Sequence, residues 1–167
     1  MELSALSMQK GIGTSQSKDK ARHYVVFRID QQRYALPLDH VNRAVRMVAV
    51  TPIPDAPPSM LGIIAMAGQM VPVIDLRRLF GQTGVKPEIQ DVLLIVEIQD
   101  QTVAVIVDEV LNILEFSAKQ IQSPPAAIAQ SRFLLAAVQQ EDTLILVLDA
   151  SRLLPDNNMR MVNGLTR

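Results

Sequence analysis

Four aspartates, each at the end of an apolar run, are the side chains in this sequence whose types and positions could support chemistry. They are Asp39, Asp75, Asp108 and Asp149, and His40 follows the first of them. A carboxylate beside an imidazole can transfer protons, so His40 with Asp39 and Asp108 is one possible acid–base group. Each aspartate also begins a short helical pattern, where its oxygens could accept hydrogen bonds from free backbone N–H groups. Because capping explains all four spacings, we interpret these aspartates as helix caps and keep catalysis only as the alternative.

Other catalytic and ligand-binding patterns are missing from the sequence. It contains no cysteine, which excludes disulfides, thiolate zinc sites and thiol nucleophiles. The two histidines, His23 and His40, do not have the spacing of metal ligands, and there is no Gly-rich phosphate loop or serine nucleophile elbow. We therefore expect no catalytic residues, no metal and no cofactor, and we favour an interaction protein.

The amino-acid composition narrows the possible classes of protein further. With a net charge of −1, 49% hydrophobic and 20% charged residues, the chain is predicted to be globular and to have no electrostatic attraction to nucleic acid. An aromatic content of 4% also argues against a stacking platform for single-stranded nucleic acid. The opening residues contain neither a signal-peptide pattern nor a membrane-spanning run, so we expect a cytoplasmic protein without direct membrane insertion.

Both ends of the chain are expected to lack fixed structure. Residues 1–22 mix Ser, Gln, Lys and Gly without an apolar period, and residues 155–167 begin with Pro and contain three Asn. We therefore predict a disordered tail over 1–22, one folded domain over 23–154 and a flexible tail over 155–167.

Six runs within the folded domain have the length and the β-branched content of strands. Turn residues at Asp30–Gln32 and Gln99–Gln101 predict two β-hairpins, and Gly68–Gln69 predicts a third tight turn in which Gly adopts a backbone angle that other residues resist. The runs are YVVFRI, RYALPL, MVPVIDL, VLLIVEI, TVAVIVDEV and TLILVLD.

The sequence also repeats itself. Residues Val26–Val41 match the pattern of Ile95–Val110 at an offset of 69, and Val73–Phe80 resembles Val147–Leu154 at an offset of 74. A single repeat at so long a period indicates two equivalent subdomains and not a solenoid. We predict a mainly β fold of two small β-barrels side by side, with short helices after some of the strands.

The order of these elements resembles that of the CheW family, the coupling proteins of bacterial chemosensory arrays. The resemblance extends over about Tyr24 to Leu154, and its most specific part is GIIAMAGQMVPVIDLRRLF, Gly62 to Phe80. Family members read close to G-V-I-N-L-R-G-x-x-V-P-V-I-D-L-R in this segment. The second hairpin with VDEV and the closing LILVLDASRLL agree with the family as well.

The resemblance implies a scaffold with two five-stranded β-barrels and no enzymatic activity. Such proteins join the cytoplasmic tip of a chemoreceptor to the regulatory domain of a CheA-type histidine kinase, which has the same fold. They also contact other CheW-like domains. This chain is therefore expected in the cytoplasm, at membrane-associated chemosensory arrays.

The resemblance also suggests two sets of site residues. One is a groove for the receptor-like partner where the halves meet, and the other is a kinase interface. The groove set is Val41, Gly62, Ala67, Gly68, Val107 and Val110, and the kinase set is Asn42, Arg43, Met66 and Gln69.

At two positions the sequence departs from the family pattern. Arg43 stands where the family usually has a Glu, and Ala67 stands where it usually has an Arg. Two functions therefore remain open: an adaptor that couples receptor and kinase through altered contacts, or a divergent module that binds kinase or array partners without a receptor. Met60, Met66 and Met70 either make a soft apolar surface near the turn or, for two of the three, point into the core.

Overall fold

The structure, a computed structural model, describes residues 20–155. The predicted tails over 1–22 and 155–167 lie almost entirely outside these residues. Of the residues that we assigned to the N-terminal tail, Arg22 lies in the first strand and pairs with Phe116.

Strands dominate the described residues, as predicted. One short α-helix, α1, spans Leu76–Leu79, and two 3-10 turns span Leu38–His40 and Ala150–Arg152. The strands are β1 (Arg22–Ile29), β2 (Gln32–Pro37), β3 (Val41–Arg46), β4 (Met60–Met66), β5 (Gln69–Asp75), β6 (Val92–Ile98), β7 (Gln101–Val107), β8 (Glu109–Phe116), β9 (Ile121–Gln122), β10 (Leu134–Gln140) and β11 (Thr143–Leu148).

The strands form two sheets, which confirms the prediction of a mainly β fold with two small β subdomains. The five-stranded sheet has the order β3-β6-β7-β5-β4, and the six-stranded sheet has the order β8-β1-β2-β11-β10-β9. Neither ladder closes on itself within residues 20–155, so the subdomains are open sheets and not the closed barrels that we expected.

Each sheet contains strands from both halves of the repeat. The β6–β7 hairpin of the second half pairs in parallel with β5 of the first half, with Val73 opposite Ala104. The β1–β2 hairpin of the first half pairs in parallel with β11 of the second half, with Val147 opposite Ala35. These two pairings are equivalent under the offsets of 69 and 74. The sequence repeat therefore corresponds to a structural repeat. Its two halves exchange hairpins, however, and do not form separate subdomains.

Burial on both faces explains why several strands are continuous apolar runs and do not alternate with polar residues. In β1, Val25 and Phe27 belong to a large apolar cluster shared by the two sheets. Tyr24 and Val26, on the other face of β1, belong to a smaller cluster within the six-stranded sheet. A third cluster, containing Ile95 among others, fills the five-stranded sheet. The shared cluster therefore holds the two sheets together.

Two of the four predicted helix caps are confirmed. Asp75 precedes α1 and its Oδ1 accepts a hydrogen bond from the backbone N–H of Arg77 at 3.0 Å. Asp149 precedes the last 3-10 turn and accepts from the backbone N–H of Ser151 at 3.1 Å. Both carboxylates satisfy a donor that the first turn leaves free.

The other two caps, Asp39 and Asp108, were predicted wrongly. The residues after them form strands β3 and β8, because pairing with β6 and β1 outweighs the local helical signal. Asp39 lies within a 3-10 turn that has no side-chain cap and pairs with Arg22 at 3.5 Å. Asp108 accepts a hydrogen bond from the backbone N–H of Asp30 at 2.8 Å.

The hairpin turns follow the prediction with one shift. Turns lie between β1 and β2 and between β6 and β7, at the predicted places. The third turn is Ala67–Gly68, one residue earlier than expected, since Gln69 is already the first residue of β5. Ala67 and Gly68 have φ angles of 49° and 77°, the positive values that a two-residue type I′ hairpin turn requires.

Two glycines in the same hairpin predict unequal costs of substitution. A Cβ at Gly62 would lie 2.0 Å from the backbone oxygen of Thr51, whereas a Cβ at Gly68 would meet nothing within 4 Å. We expect Gly62→Ala to lower the free energy of unfolding by about 3 kcal/mol or more, because backbone atoms must move. Gly68→Ala, the matched control, carries only the positive-φ cost of about 1 kcal/mol. Urea denaturation checks both values, and equal losses would contradict the clash.

Candidate partner-binding surfaces

Three of the six groove residues are inaccessible. Val107 is fully buried, Val41 is 7% exposed, and both belong to the apolar cluster between the sheets. Gly62 is also buried, against the loop that contains Thr51. Val110 is half-buried against the shared cluster. At these positions the space between the sheets is filled with packed side chains. The residues therefore stabilise the core.

The turn between β4 and β5 is exposed, as a docking surface requires. Ala67, Gly68 and Gln69 lie open to solvent at its tip, and Met66 is half-buried beside them. The polar recognition residues of the family pattern are therefore replaced by small side chains at an exposed place.

The three methionines near this turn divide between core and surface. Met60 is 4% exposed in the shared cluster, and Met66 packs against the cluster of the five-stranded sheet. Met70 alone is largely exposed, at 46%. Two of the three methionines thus face the core, and one contributes soft apolar surface.

The remaining kinase-set residues, Asn42 and Arg43, lie on β3, an edge strand of the five-stranded sheet. Both side chains are exposed. Among the contacts of residues 20–155, Arg43 takes part in no ion pair, so its charge is available to a partner.

A groove that the sequence did not predict opens between the six-stranded sheet and the segment after α1. It has a volume of about 420 Å³. Its walls are aliphatic and aromatic, with few polar groups, as is typical of sites that bind an apolar partner surface. The lining side chains include Tyr34, Phe80, Phe133, Leu134 and Leu146.

A row of aromatic rings crosses this groove. The ring of Tyr34 lies 6.1 Å from that of Phe27 and 5.4 Å from that of Phe80. Phe80 in turn lies 5.4 Å from Phe133, whose ring is covered by the guanidinium of Arg132 at 5.0 Å. Centroid distances of this size are those of favourable aromatic pairs. Phe80 therefore connects the end of α1 to the six-stranded sheet.

A second apolar depression lies on the five-stranded side. It has a volume of about 430 Å³, and it shares no lining residue with the groove. Val48 and Ile89 are 49% and 88% exposed at its rim. Exposed aliphatic side chains grouped in this way are typical of protein interaction surfaces. The other lining residues are Met47, Ala49, Val50, Leu61, Pro87 and Glu88.

The histidines and the buried charges have structural partners. Nδ1 of His40 lies 3.1 Å from the backbone oxygen of Glu97, and Nε2 of His23 lies 3.8 Å from a carboxylate oxygen of Glu115. Arg77 is 7% exposed, and both its Nε and one Nη contact Asp75. Across residues 20–155, no three acidic or histidine side chains form a group that could hold a metal ion.

The pKa of Arg77 follows from these contacts. Burial alone lowers the pKa of the guanidinium, but hydrogen bonds and charge interactions with Asp75 and Asp91 outweigh it, so that the pKa lies above its ordinary value. Arg77 is therefore a permanent cation with a structural role.

Within residues 20–155, a mainly β fold with two open sheets, two separate apolar depressions and paired buried charges defines a binding module. The chain belongs to the CheW-like domain family, whose model matches residues 23–158. This is a family of chemotaxis scaffold proteins, as the resemblance in the sequence implied.

Individual relatives agree with this assignment over most of the chain. The chemotaxis protein CheW of Klebsiella aerogenes is 24% identical over 148 residues, 87% of this chain and 89% of the relative. The chemotaxis protein CheW of Treponema pallidum is 25% identical over 153 residues, 88% of this chain and 90% of the relative. The crystal structure of the scaffolding protein TtCheW from Thermoanaerobacter tengcongensis is 28% identical, with a TM-score of 0.76 over 83% of this chain and 96% of that one. In the part of this chain that is described, no helix is long and apolar enough to cross a membrane.

The groove residue Tyr34 leads to a prediction about the stability of the fold at alkaline pH. Burial, and secondly the negative charge of Asp30, raises the pKa of Tyr34. The folded state then holds this proton more tightly than the unfolded state. Its contribution to stability is complete below the unfolded pKa of about 10 and is lost as the pH rises through the folded value. We expect Tyr34→Phe to lose less stability than the unsubstituted protein above about pH 10. Urea denaturation across this range checks it, and parallel curves for the two proteins would contradict it.

Proposed function

We propose that this chain is a non-catalytic adaptor that joins a chemoreceptor's cytoplasmic tip to the regulatory domain of a CheA-type histidine kinase. The observation that carries the proposal is the presence of two apolar depressions that have no lining residue in common. A protein that couples two partners at once needs two such surfaces, and a simple binding protein needs only one.

The receptor tip, in this proposal, binds in the groove between the six-stranded sheet and the segment after α1. Tyr34, Phe80 and Phe133 give it three aromatic side chains, and Leu146 is among its aliphatic lining residues. Aromatic side chains contribute a large contact area with few rotatable bonds, which favours binding energy at an interface. The groove replaces the buried residues of the predicted receptor set as the contact surface.

The kinase regulatory domain, in this proposal, binds the five-stranded sheet. Asn42, Arg43 and Gln69 are exposed there, and Met66 lies half-buried at the hairpin tip. The depression rimmed by Ile89 adds apolar area at the same sheet, since Leu61 of β4 lines it. Other CheW-like domains are candidate partners for the same sheet, since the kinase domain shares the family fold.

The alternative is a module that binds kinase or array partners without coupling a receptor. Two exposed residues favour it: Arg43 reverses the usual charge of its position, and Ala67 removes a guanidinium with five donors. Both changes alter the surface and not the core, so they would change the choice of partner without changing the fold. In either case we place the protein in the cytoplasm, at membrane-associated arrays.

Calorimetric titration distinguishes the two functions. The protein is titrated with a CheA-type regulatory domain and, separately, with a receptor cytoplasmic-tip fragment from the same genome. Binding to both supports the coupling adaptor, and binding to the kinase domain alone supports the divergent module. If neither binds, the proposed function is wrong.

Adjacent leucines on β10 offer a matched test of the groove. Leu134 lines the groove, whereas Leu135 is 57% exposed and does not line it. We expect Leu134→Glu to weaken receptor-fragment binding by about tenfold or more, because a carboxylate must be desolvated in an apolar site. Leu135→Glu should leave the affinity unchanged. If both variants are folded by circular dichroism and bind the fragment with equal affinity, the receptor fragment does not bind in the groove.

Restoring the family's positive charge tests the hairpin tip. Ala67→Arg should strengthen receptor-fragment binding, because it returns a charged fork of donors to an exposed turn. Ala65→Arg is the control, since Ala65 is exposed on the same hairpin, two residues earlier. If Ala67→Arg leaves the affinity for every receptor fragment unchanged, the tip does not contribute to receptor binding.

A further inference from the structure

An aspartate, Asp30, lies at one end of the apolar groove between the six-stranded sheet and the segment after α1. Its Oδ2 accepts a hydrogen bond at 2.8 Å from the side chain of Gln82, and Gln82 directly follows Gly81, which lines the groove. The groove residue Tyr34 also senses this carboxylate: burial is the first cause of its raised pKa, and the charge of Asp30 is the second. Both observations place the Asp30 carboxylate at the Tyr34 end of the groove.

The backbone of Asp30 is fixed by two hydrogen bonds within the turn between β1 and β2. Its N–H donates to Oδ2 of Asp108 at 2.8 Å, and its carbonyl oxygen accepts from Nη1 of Arg28 at 2.7 Å. With the bond from Gln82, three contacts therefore determine where the carboxylate lies. A group that is already in position loses little conformational freedom when a partner binds to it. Asp30 is thus preorganised to contact a partner.

The charge of Asp30 is not neutralised within the described residues. Asp30 is exposed, and it forms no ion pair with any residue of 20–155. The nearby guanidinium of Arg28 already pairs with Asp108 at 3.3 Å and with Glu109 at 3.5 Å. Arg33 precedes Tyr34 on β2, so its side chain projects from the opposite face of that strand. A cation on a partner can therefore pair with Asp30 without displacing another one.

The charged groups that are linked to Asp30 contain an excess of carboxylates. Contacts among them join five carboxylates to two guanidinium groups, which gives this network a formal net charge of −3. A cation that approaches Asp30 therefore enters a region of negative potential. The seven residues of the network are Asp30, Asp75, Asp91, Asp108, Glu109, Arg28 and Arg77.

The two ends of the groove differ in charge. Phe80 stands between Tyr34 and Phe133 in the row of aromatic rings. At the Phe133 end, the guanidinium of Arg132 covers the ring at 5.0 Å, whereas the carboxylate of Asp30 lies at the Tyr34 end. A segment that binds along the row therefore meets apolar side chains over its length and a negative charge at one end.

We propose that the groove binds a partner segment that has a lysine or arginine beside its apolar residues, and that Asp30 forms an ion pair with this basic residue. The inference rests on the proposed function, in which the groove binds a receptor tip, and it states the chemistry of the segment that binds. The apolar residues pack on the aromatic rings and supply most of the affinity. The ion pair selects the partner and fixes which end of the segment lies at Tyr34.

Two matched variants test the position of this charge in the isolated chain. Asp30→Asn removes the charge, keeps a side-chain oxygen for Gln82, and suits the positive φ of 53° at this position. Asp100→Asn is the control, because Asp100 is exposed in the corresponding turn between β6 and β7 and has a φ of 64°. We expect spectrophotometric titration of tyrosine to show a lower pKa of Tyr34 in Asp30→Asn only. Identical titration curves for both variants would overturn the placement of Asp30 at the groove.

Calorimetry with a receptor cytoplasmic-tip fragment from the same genome tests the ion pair itself. We expect Asp30→Asn to weaken binding by about threefold or more and to reduce the dependence of affinity on salt, whereas Asp100→Asn should change neither. Each lysine and arginine of the fragment is then replaced in turn by glutamine. One of these replacements should weaken binding to the unsubstituted protein but cause no further loss with Asp30→Asn, as expected for two groups that interact directly.

The outcomes distinguish this inference from the proposed function. If the fragment binds, but Asp30→Asn and Asp100→Asn bind it equally, the ion pair is wrong and the receptor-binding function is retained. The same conclusion follows if no basic residue of the fragment is coupled to Asp30. If the fragment does not bind the unsubstituted protein, receptor coupling is wrong, and the inference falls with it. Circular dichroism confirms that both variants are folded.

Discussion

Two parallel strand pairings, β5 with β7 and β2 with β11, are the constraint on which the rest of the structure depends. Each pairing joins a hairpin to the closing strand of the other half of the repeat. Such contacts between distant parts of a chain carry a high entropic cost, which has to be offset by burial. The apolar cluster between the sheets provides that burial, and it draws on both halves at once. Neither half of the sequence can therefore fold into its own subdomain.

The sequence predicted local structure well because local structure follows from residue pattern. Strand runs, two of the hairpin turns and the caps at Asp75 and Asp149 depend on neighbours in the chain and were found where expected. The exchange of hairpins depends on which strand pairs with which. The repeated sequence pattern is the same whether or not the hairpins are exchanged. For the same reason Asp39 and Asp108 were mistaken for caps. Their strands are made by distant partners, β6 and β1.

The candidate site was harder to predict than the fold. Val41 and Val107 were expected in a groove at the junction of the halves, but both are buried in the apolar cluster that the two sheets share. The open groove is instead made by Tyr34, Phe80 and Phe133, which lie far apart in sequence and meet only through the exchanged hairpins. The chain has only four phenylalanines, and two of them line this groove. That concentration becomes visible only after folding, so the sequence carried no signal for it.

The repeat makes the two sheets equivalent in backbone, and the side chains then make them different. Under the offsets of 74 and 69, Ser151 is equivalent to Arg77 and Asp39 to Asp108. The side chains of Arg77 and Asp108 are 8% and 17% exposed, whereas Ser151 and Asp39 are exposed. A scaffold benefits from this difference, since two identical surfaces would bind the same partner twice. The register of strand pairing is fixed in both halves of the repeat, because a shift by one residue would turn every buried side chain to the other face. Exposed positions such as Arg43 and Ala67 are under no such restriction, which is why partner choice in this fold can change while the sheets do not.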